Sequence, residues 1–486
     1  MEQSVRRGRI SPSYLIIGRM GDMRNTDTIA AVATAMSSSG IGIIRVSGDE
    51  AFSIGDQIFR KYRSDDEESH LWNPGQESHK VFYGHICDRG EIVDEVMVLV
   101  MKGPHSYTAE DTIEIQCHGG ILVMKKILET VIRYGARPAE PGEFTKRAFL
   151  NGRMDLSQAE AVMDVINARN QYALKSSVSQ LNGKVSGKIR ELRAKILYEI
   201  AFIESALDDP EHISLDGYPD RLRQILKPVI EETEKLLDSA DNGRVMKEGI
   251  RTVILGKPNA GKSSLMNVLL GEERAIVTDI AGTTRDILEE QIQLEGISLN
   301  VVDTAGIRNT SDVVEQIGVT RAKNAAESAD LIIYVVDSSV PLDDNDRHIM
   351  EMIKGQKAVI LLNKTDLPAV VGAEDLIKLT EYPIIGISAK EGTGIDELED
   401  QVKSMFYEGE IDFNDQIYIT SVRHKTALTE SCRSLKMVME SIDSGMPEDF
   451  YSIDLMDAYE QLGTIIGEAV EEDLINEIFG RFCTGK

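Results

Sequence analysis

The chain has 486 residues, 42% of them hydrophobic, and a formal net charge of −28. That length holds about three domains of ordinary globular composition, and the charge excludes a broadly basic, nucleic-acid-coating surface, leaving any RNA contact to a local patch or a partner. No apolar run reaches the length of a membrane span, and Cys87, Cys117, Cys432 and Cys483 form no C-x-x-C pair, which argues against disulfides and structural zinc and for a reducing cytoplasm.

The start of the chain differs from the rest. Residues 1–26 carry Arg6, Arg7, Arg9, Arg19 and Arg24 against only Glu2 and Asp22. An Arg-rich, acid-poor start can be a transit peptide. Met20 and Met23 stand just before the first strand-like segment, however, and a disordered tail or an upstream start codon is the preferred reading. From Thr28 to about Gly135 the pattern is strand-rich: Ile41 to Val46, Val81 to Tyr83, Val93 to Val100 and Thr112 to Cys117 read as strands, and Ile121 to Tyr134 as a helix. The polar stretch 65–76, with Pro74 and Gly75, reads as a loop. These residues form a first α+β domain, 27–145.

From about Asp155 the period changes to that of a helix. Ile189, Leu192, Ile196, Ile200, Ile203 and Leu207 share one face, and Leu222, Leu226, Val229, Thr233 and Leu236 form a second. Helical patterns resume at Ser421–Ile442 and Ile453–Phe479. Between them lies an α/β segment, so the organisation predicted is a helical domain in two parts, 146–248 and 407–486, interrupted by an inserted nucleotide domain, 249–406.

Gly256-Lys257-Pro258-Asn259-Ala260-Gly261-Lys262-Ser263-Ser264 fits the phosphate-loop pattern G-x-x-x-x-G-K-[ST], between a strand over Val253-Ile254-Leu255 and a helix from Leu265. Its backbone N–H groups would surround phosphate oxygens at a helix N-terminus. Lys262 would reach the outer phosphates and Ser263 would ligand Mg²⁺. Asp303-Thr304-Ala305-Gly306 after a strand is what a Mg²⁺ and γ-phosphate sensor needs. Asn363-Lys364-Thr365-Asp366 selects guanine, because the Asp accepts from a ring N–H and an amine that adenine lacks, and Ser388-Ala389-Lys390 backs the base. Four such motifs in order, each after an apolar run, predict a GTPase. The position after Asp-x-x-Gly, often a water-orienting Gln, is Ile307, and no arginine finger can be assigned.

The inserted GTPase, the segment Thr278-Asp279-Ile280-Ala281-Gly282-Thr283-Thr284-Arg285-Asp286, the run 141–152, His118-Gly119-Gly120 and the terminal Phe482-Cys483-Thr484-Gly485-Lys486 resemble the MnmE (TrmE) family of tRNA modification GTPases, from about Asp27 to Lys486. The resemblance implies a multidomain α/β and α fold: an N-terminal α+β folate-binding-like domain, a split helical domain and an inserted Ras-like P-loop GTPase. It implies a GTP hydrolase that, with the flavoprotein MnmG (GidA) in a heterotetramer or larger complex, adds a carboxymethylaminomethyl or aminomethyl group to C5 of the wobble uridine (position 34) of certain tRNAs. A cytoplasmic homodimer with K⁺-dependent contact between GTPase domains is implied too.

Several residues take roles from that resemblance. Asn259, Thr278, Ile280 and Thr283 match the oxygens around K⁺, which would do the work of the missing arginine finger. Thr278 to Thr284 line the nucleotide, Thr284 matches a second Mg²⁺ hydroxyl, and Glu315 matches the residue that positions water. Arg45, Glu114, Arg153 and Lys486 match a site for a tetrahydrofolate derivative, 5-formyl- or 5,10-methylene-, with Arg153 standing where some members carry Lys. The tail is expected to reach that site across a dimer. Cys483 is a candidate catalytic thiol on family position alone, since a nucleophile needs a lowered pKa and only Lys486 is at hand. The alternative is a GTP-controlled ribosome or RNA assembly factor; such proteins usually append a basic RNA-binding domain, and the appended parts here are acidic or neutral.

Overall fold

The computed structural model describes residues 27–62, 71, 78–271, 289–294, 297–302, 325–406, 417–468, 470 and 472–486. They fall into two compact units. One consists of Met1–Met163, Gln180–Leu226 and Arg433–Lys486, the other of Asp164–Ser179 and Lys227–Cys432. The extension 1–26 and most of the predicted loop 65–76 lie outside the described residues. Among the described residues no helix is long and apolar enough to cross a membrane.

The first unit opens with a seven-stranded sheet. Its strands are β1 (Ile29–Val32), β2 (Ile41–Ser47), β3 (Phe59–Lys61), β4 (Lys80–Asp88), β5 (Glu91–Met101), β6 (Thr112–His118) and β7 (Arg137–Pro138). Their order is β3-β4-β5-β6-β2-β1-β7. All neighbours are antiparallel except β1 and β7. Strand residues alternate between faces. Ile44, Val46, Val98, Val100, Ile113 and Ile115 point inward, where the helices Ala51–Ile58 and Ile121–Arg133 close the core. Arg45 and Glu114 are register partners on the opposite face. There the helix Glu143–Leu150 brings Phe144 against Ile29 and Ala31. A partly buried network fixes that helix: Arg147 reaches Asp27, Glu110 and Glu143, and Arg137 also reaches Asp27 and Glu143.

The helical part of this unit follows the predicted period with two differences. Lys184–Asp208 buries Ile189, Leu192, Ile196, Ile200 and Ile203 and packs on Glu448–Ile466. Leu207, expected on that face, is 46% exposed, and Ala206 takes the buried position two residues before the helix end. The predicted single helix 453–479 is two, Glu448–Ile466 and Glu472–Gly480. Gly467, at φ +87°, stops the first by turning left-handed, and its N–H caps the last carbonyls. Along Tyr218–Glu248, Leu222 and Leu226 of this unit and Val229, Thr233 and Leu236 of the other are buried, as the spacing predicts.

The second unit contains β8 (Ile250–Leu255), β9 (Glu289–Leu294), β10 (Ile297–Val302), β11 (Leu331–Asp337), β12 (Ala358–Asn363) and β13 (Ile384–Gly386). The sheet order is β13-β12-β11-β8-β10-β9. Every pair is parallel except β9 with β10. Strands of a parallel sheet are buried on both sides, and β11 and β12 are buried at every position. One apolar cluster lies on each face.

Candidate functional site

β8 lies where the strand order turns from β10 on one side to β11 on the other. Open α/β sheets bind ligands outside the carboxyl ends of their strands at such a point. The loop leaving β8 runs directly into the helix Lys262–Leu269. It needs unusual backbone: Gly256, Asn259 and Gly261 have φ of +151°, +65° and +102°. At Gly261 side-chain space is absent as well, because a Cβ would stand 2.0 Å from the Asn363 amide nitrogen. That amide joins three motifs. Asn363 Nδ2 donates to the Ala260 carbonyl at 2.8 Å, and its Oδ1 accepts from the Ala389 N–H at 3.0 Å.

Lys262 donates to the carbonyls of Gly256 (2.6 Å) and Lys257 (2.8 Å). Burial lowers its pKa. Carbonyls satisfy its protons without neutralising its charge, so the site favours an anion. Ser263 and Ser264 are exposed in the first turn of the same helix. Across the sheet end, Ser388 Oγ donates to Asp366 Oδ1 at 2.8 Å, and the exposed Lys390 ammonium stands 3.9 Å from Asp366 Oδ2. Lys364, at φ +68°, pairs with Asp337 at 2.5 Å, and Thr365 donates its N–H to the Ile387 carbonyl. Burial alone would raise the Asp337 carboxyl; the bonds from Lys364 and Ser339 outweigh it and hold that group low. Thr278, Asp279, Ile280, Ala281, Gly282, Thr283 and Thr284, together with Asp303, Thr304, Ala305, Gly306, Ile307 and Glu315, lie outside the described residues.

Sequence reasoning missed the support beneath the loop. Lys257 Nζ reaches Asp346 Oδ2 at 2.7 Å and Asp343 Oδ2 at 3.0 Å. Asp346 is 1% exposed and also accepts from the buried Tyr334 hydroxyl at 2.7 Å. Asp343 and Asp346 form the capping box of the helix Asp344–Met352. The Asp-x-x-Asp spacing was a readable helix start; its pairing with a lysine 89 residues earlier was not.

The first unit gathers a second set. Arg45 Nε donates to Glu114 Oε1 at 2.8 Å, and Arg45 Nη1 reaches the Gly485 carbonyl at 3.4 Å. The guanidinium groups of Arg45 and Arg153 stand 4.9 and 5.0 Å from the Tyr107 ring centre, and the Lys486 ammonium 5.7 Å. Tyr107 was not singled out in the sequence, and it is the ring on which three of the four expected residues, Arg45, Arg153 and Lys486, converge, with Glu114 joined through Arg45. Its hydroxyl bonds Thr145 Oγ1 at 2.8 Å, while the Thr145 N–H donates to the Lys486 backbone oxygen at 3.1 Å. The tail therefore reaches Arg45 and Glu114 within one chain, which corrects the expectation that a dimer would bring them together. Burial lowers the Lys486 pKa, Arg45 adds to the effect and Glu114 opposes it. Three cations gather at Tyr107, one of them, Arg45, also against Phe144 and paired with the Glu114 carboxylate. That chemistry suits a flat ligand carrying negative charge. Cys483 is exposed, and its carbonyl accepts from the N–H groups of Gly142 and Lys486.

Two family models match the chain. One, described as the GTP-binding protein TrmE N-terminus, covers 28–153, and the other, described as the MnmE helical domain, covers 156–483. A tRNA modification GTPase MnmE from Lachnoclostridium phytofermentans is 58% identical over 461 residues, covering 95% of this chain and 100% of that protein. The protein of the same name from Clostridioides difficile is 46% identical over 465 residues, covering 95% of this chain and 99% of its own length. Among solved structures, Aquifex aeolicus Era bound to GDP and AlF4⁻ is 30% identical, covers 38% of this chain and 66% of that one, and has a TM-score of 0.25.

Proposed function

Since the chain belongs to the MnmE family of tRNA modification GTPases and is a GTP hydrolase acting in tRNA modification, we propose that it alters C5 of the wobble uridine, position 34, of certain tRNAs. The group added is carboxymethylaminomethyl or aminomethyl. The proposed partner is the flavoprotein MnmG (GidA), the proposed working form is a homodimer within a larger complex, and the proposed compartment is the cytoplasm. In the domain division proposed, 27–145 holds the one-carbon carrier, 146–248 and 407–486 form the helical domain, and 249–406 is the inserted GTPase.

The observation that carries the one-carbon reading is the convergence of Arg45, Arg153 and Lys486 on Tyr107, with Glu114 bonded to Arg45. Glu114 offers a carboxylate to the N–H donors of a pterin, and the cations suit the glutamate tail of a tetrahydrofolate. Cys483 is exposed on the segment bearing Lys486 and is the candidate for any covalent role there.

In the GTPase, Lys262 would bind the outer phosphates, Ser263 and Thr284 would hold Mg²⁺, and Asp366 would accept from guanine with Ser388 fixing its orientation. Asp303 to Gly306 would sense the γ-phosphate, and Glu315 would orient the attacking water. Asn259, exposed and left-handed at the outer rim of the loop, has a side-chain oxygen available to K⁺, which Thr278, Ile280 and Thr283 would complete. A K⁺ held there would supply positive charge between the phosphates as an arginine finger does.

The test is nucleoside analysis of tRNA from a strain lacking this chain, complemented with the wild type or with Arg45→Ala. Loss of the modified wobble uridine that only the wild type restores is expected. Unmodified levels identical to those of the parent strain would refute the reading and favour a GTP-controlled assembly factor.

A further inference from the structure

The segment Asp164–Ser179 belongs to the unit that carries the nucleotide motifs, although the chain on either side of it belongs to the other unit. Its central residue, Asn170, uses its whole side-chain amide. Oδ1 accepts from the Ala173 N–H at 2.7 Å, capping the helix Gln171–Leu181. Nδ2 donates to the Met246 carbonyl at 3.1 Å and to Ser298 Oγ at 3.2 Å. The cap is an ordinary helix start and explains the oxygen. It does not explain the nitrogen, whose second partner is on β10.

Three more contacts converge on the same strand pair. Arg169 Nη1 donates to Gln291 Oε1 at 2.8 Å, and the Arg169 carbonyl accepts from Gln293 Nε2 at 3.1 Å. Gln293 also donates to Ser298 Oγ at 2.8 Å, so that hydroxyl receives one bond from β9 and one from Asn170. Tyr172 packs against the apolar cluster that contains Ile292, Leu294, Ile297 and Leu299. Among the described residues β9 is an edge strand of its sheet, bonded there to β10 alone. Segment 164–179 therefore supplies bonds to a strand pair at an edge of the sheet.

The position of that pair in the chain gives these bonds their meaning. Thr284 precedes β9 by five residues and Asp303 follows β10 directly. Both are switch motifs, and GTPase switches are ordered by the γ-phosphate and released on hydrolysis. Glu289 and Val302 are register partners, so both motifs join the strand pair at one end. Gln293 and Ser298 are paired toward the other, where Arg169 and Asn170 bond; a change at the switches would reach Asn170 along the ladder. We propose that Asn170 is a positioning residue for the β9–β10 pair, and that its hold differs between the GTP and GDP states, so that segment 164–179 registers which nucleotide is bound. By linkage, a contact that is stronger in one state must favour the nucleotide of that state.

Asn170→Asp separates this role from capping, since the carboxylate keeps the cap and loses both donations. The affinities of the full chain for GDP and for a non-hydrolysable GTP analogue would be measured by fluorescent-nucleotide titration. The ratio of the two is expected to change by about fivefold, the factor one ordinary hydrogen bond carries. Gln293→Ala, acting from the strand side, should move the ratio in the same direction. A ratio unchanged in both variants, with the two affinities steady or falling together, would reduce segment 164–179 to scaffolding and overturn the proposal. Should Asn170→Asp fail to fold, hydrogen exchange of residues 289–294 in the wild type decides: protection that differs between GDP and the analogue supports the proposal, and equal protection overturns it.

Discussion

Asp346→Asn isolates the support under the phosphate loop. The substituted amide can keep its oxygen toward the Tyr334 hydroxyl, which Asp346 Oδ1 accepts at 2.7 Å. Its nitrogen then replaces Oδ2, which accepts from Lys257 Nζ at 2.7 Å and from the Asp343 N–H at 2.9 Å. Two donors would face a third. Hydrogen bonds to a charged partner contribute about 1.5–3 kcal/mol each. Lys257 retains Asp343 at 3.0 Å, so the loss is nearer the lower sum, about 3 kcal/mol. Nucleotide binding must rebuild the loop that Lys257 anchors, and if half or more of that loss falls on the loop, GTP affinity drops by roughly ten- to a hundredfold. Fluorescent-nucleotide titration measures it, beside urea unfolding of the same protein. A double-mutant cycle with Lys257→Met tests the cause: the double variant should be little worse than Asp346→Asn, with a coupling of about 1.5–3 kcal/mol. Additive losses, or a GTP affinity within about twofold of wild type, a change too small for the bond energies used here, would refute the argument.

Three further outcomes are expected. Asp366→Asn should exchange guanine for xanthine preference, because Ser388 can still donate to Oδ1 and leaves the new amide nitrogen at the position of Oδ2; retained GTP affinity would contradict the base-recognition assignment. GTP turnover should be high in KCl and weak in NaCl, and Asn259→Ala should lose that difference; equal rates in the two salts for the wild type would remove K⁺ from the proposal. Binding of a reduced folate should weaken as pH rises through the Lys486 pKa, which burial and Arg45 place below the ordinary 10.5. An anionic ligand favours the charged ammonium, so affinity is greatest below the free-state pKa and declines above it; calorimetry showing the same alkaline decline in Lys486→Met would assign the effect elsewhere.

What the sequence disclosed was mostly local. The strand–loop–helix setting of Gly256 to Ser264 follows from an apolar run and a glycine pattern, and the long helix faces follow from the spacing of Ile189 to Ile203. Gly467 was a readable helix stop that apolar periodicity on both sides concealed. The remaining features depend on side chains far apart in the chain. Nothing near Lys257 indicates Asp346, nothing near Asn170 indicates Ser298, and Tyr107 sits in a loop without motif character. Periodicity reports which face of an element is buried, not which polar group on another element will meet it.

Arg45 and Gly485 are bonded across 440 residues. At synthesis rates of about 5–20 residues per second, that separation is about 20 to 90 s of waiting on the ribosome. The sheet carrying Arg45 and Glu114 can form early, since its strands all lie before residue 140. During the interval the two charges have each other but no tail, and the face around Tyr107 stands uncovered by residues 483–486. If the first domain folds as it is made, its anion-attracting cluster is unfinished until the tail arrives. An early-arriving anion could occupy the cluster then, and the tail would have to close over it.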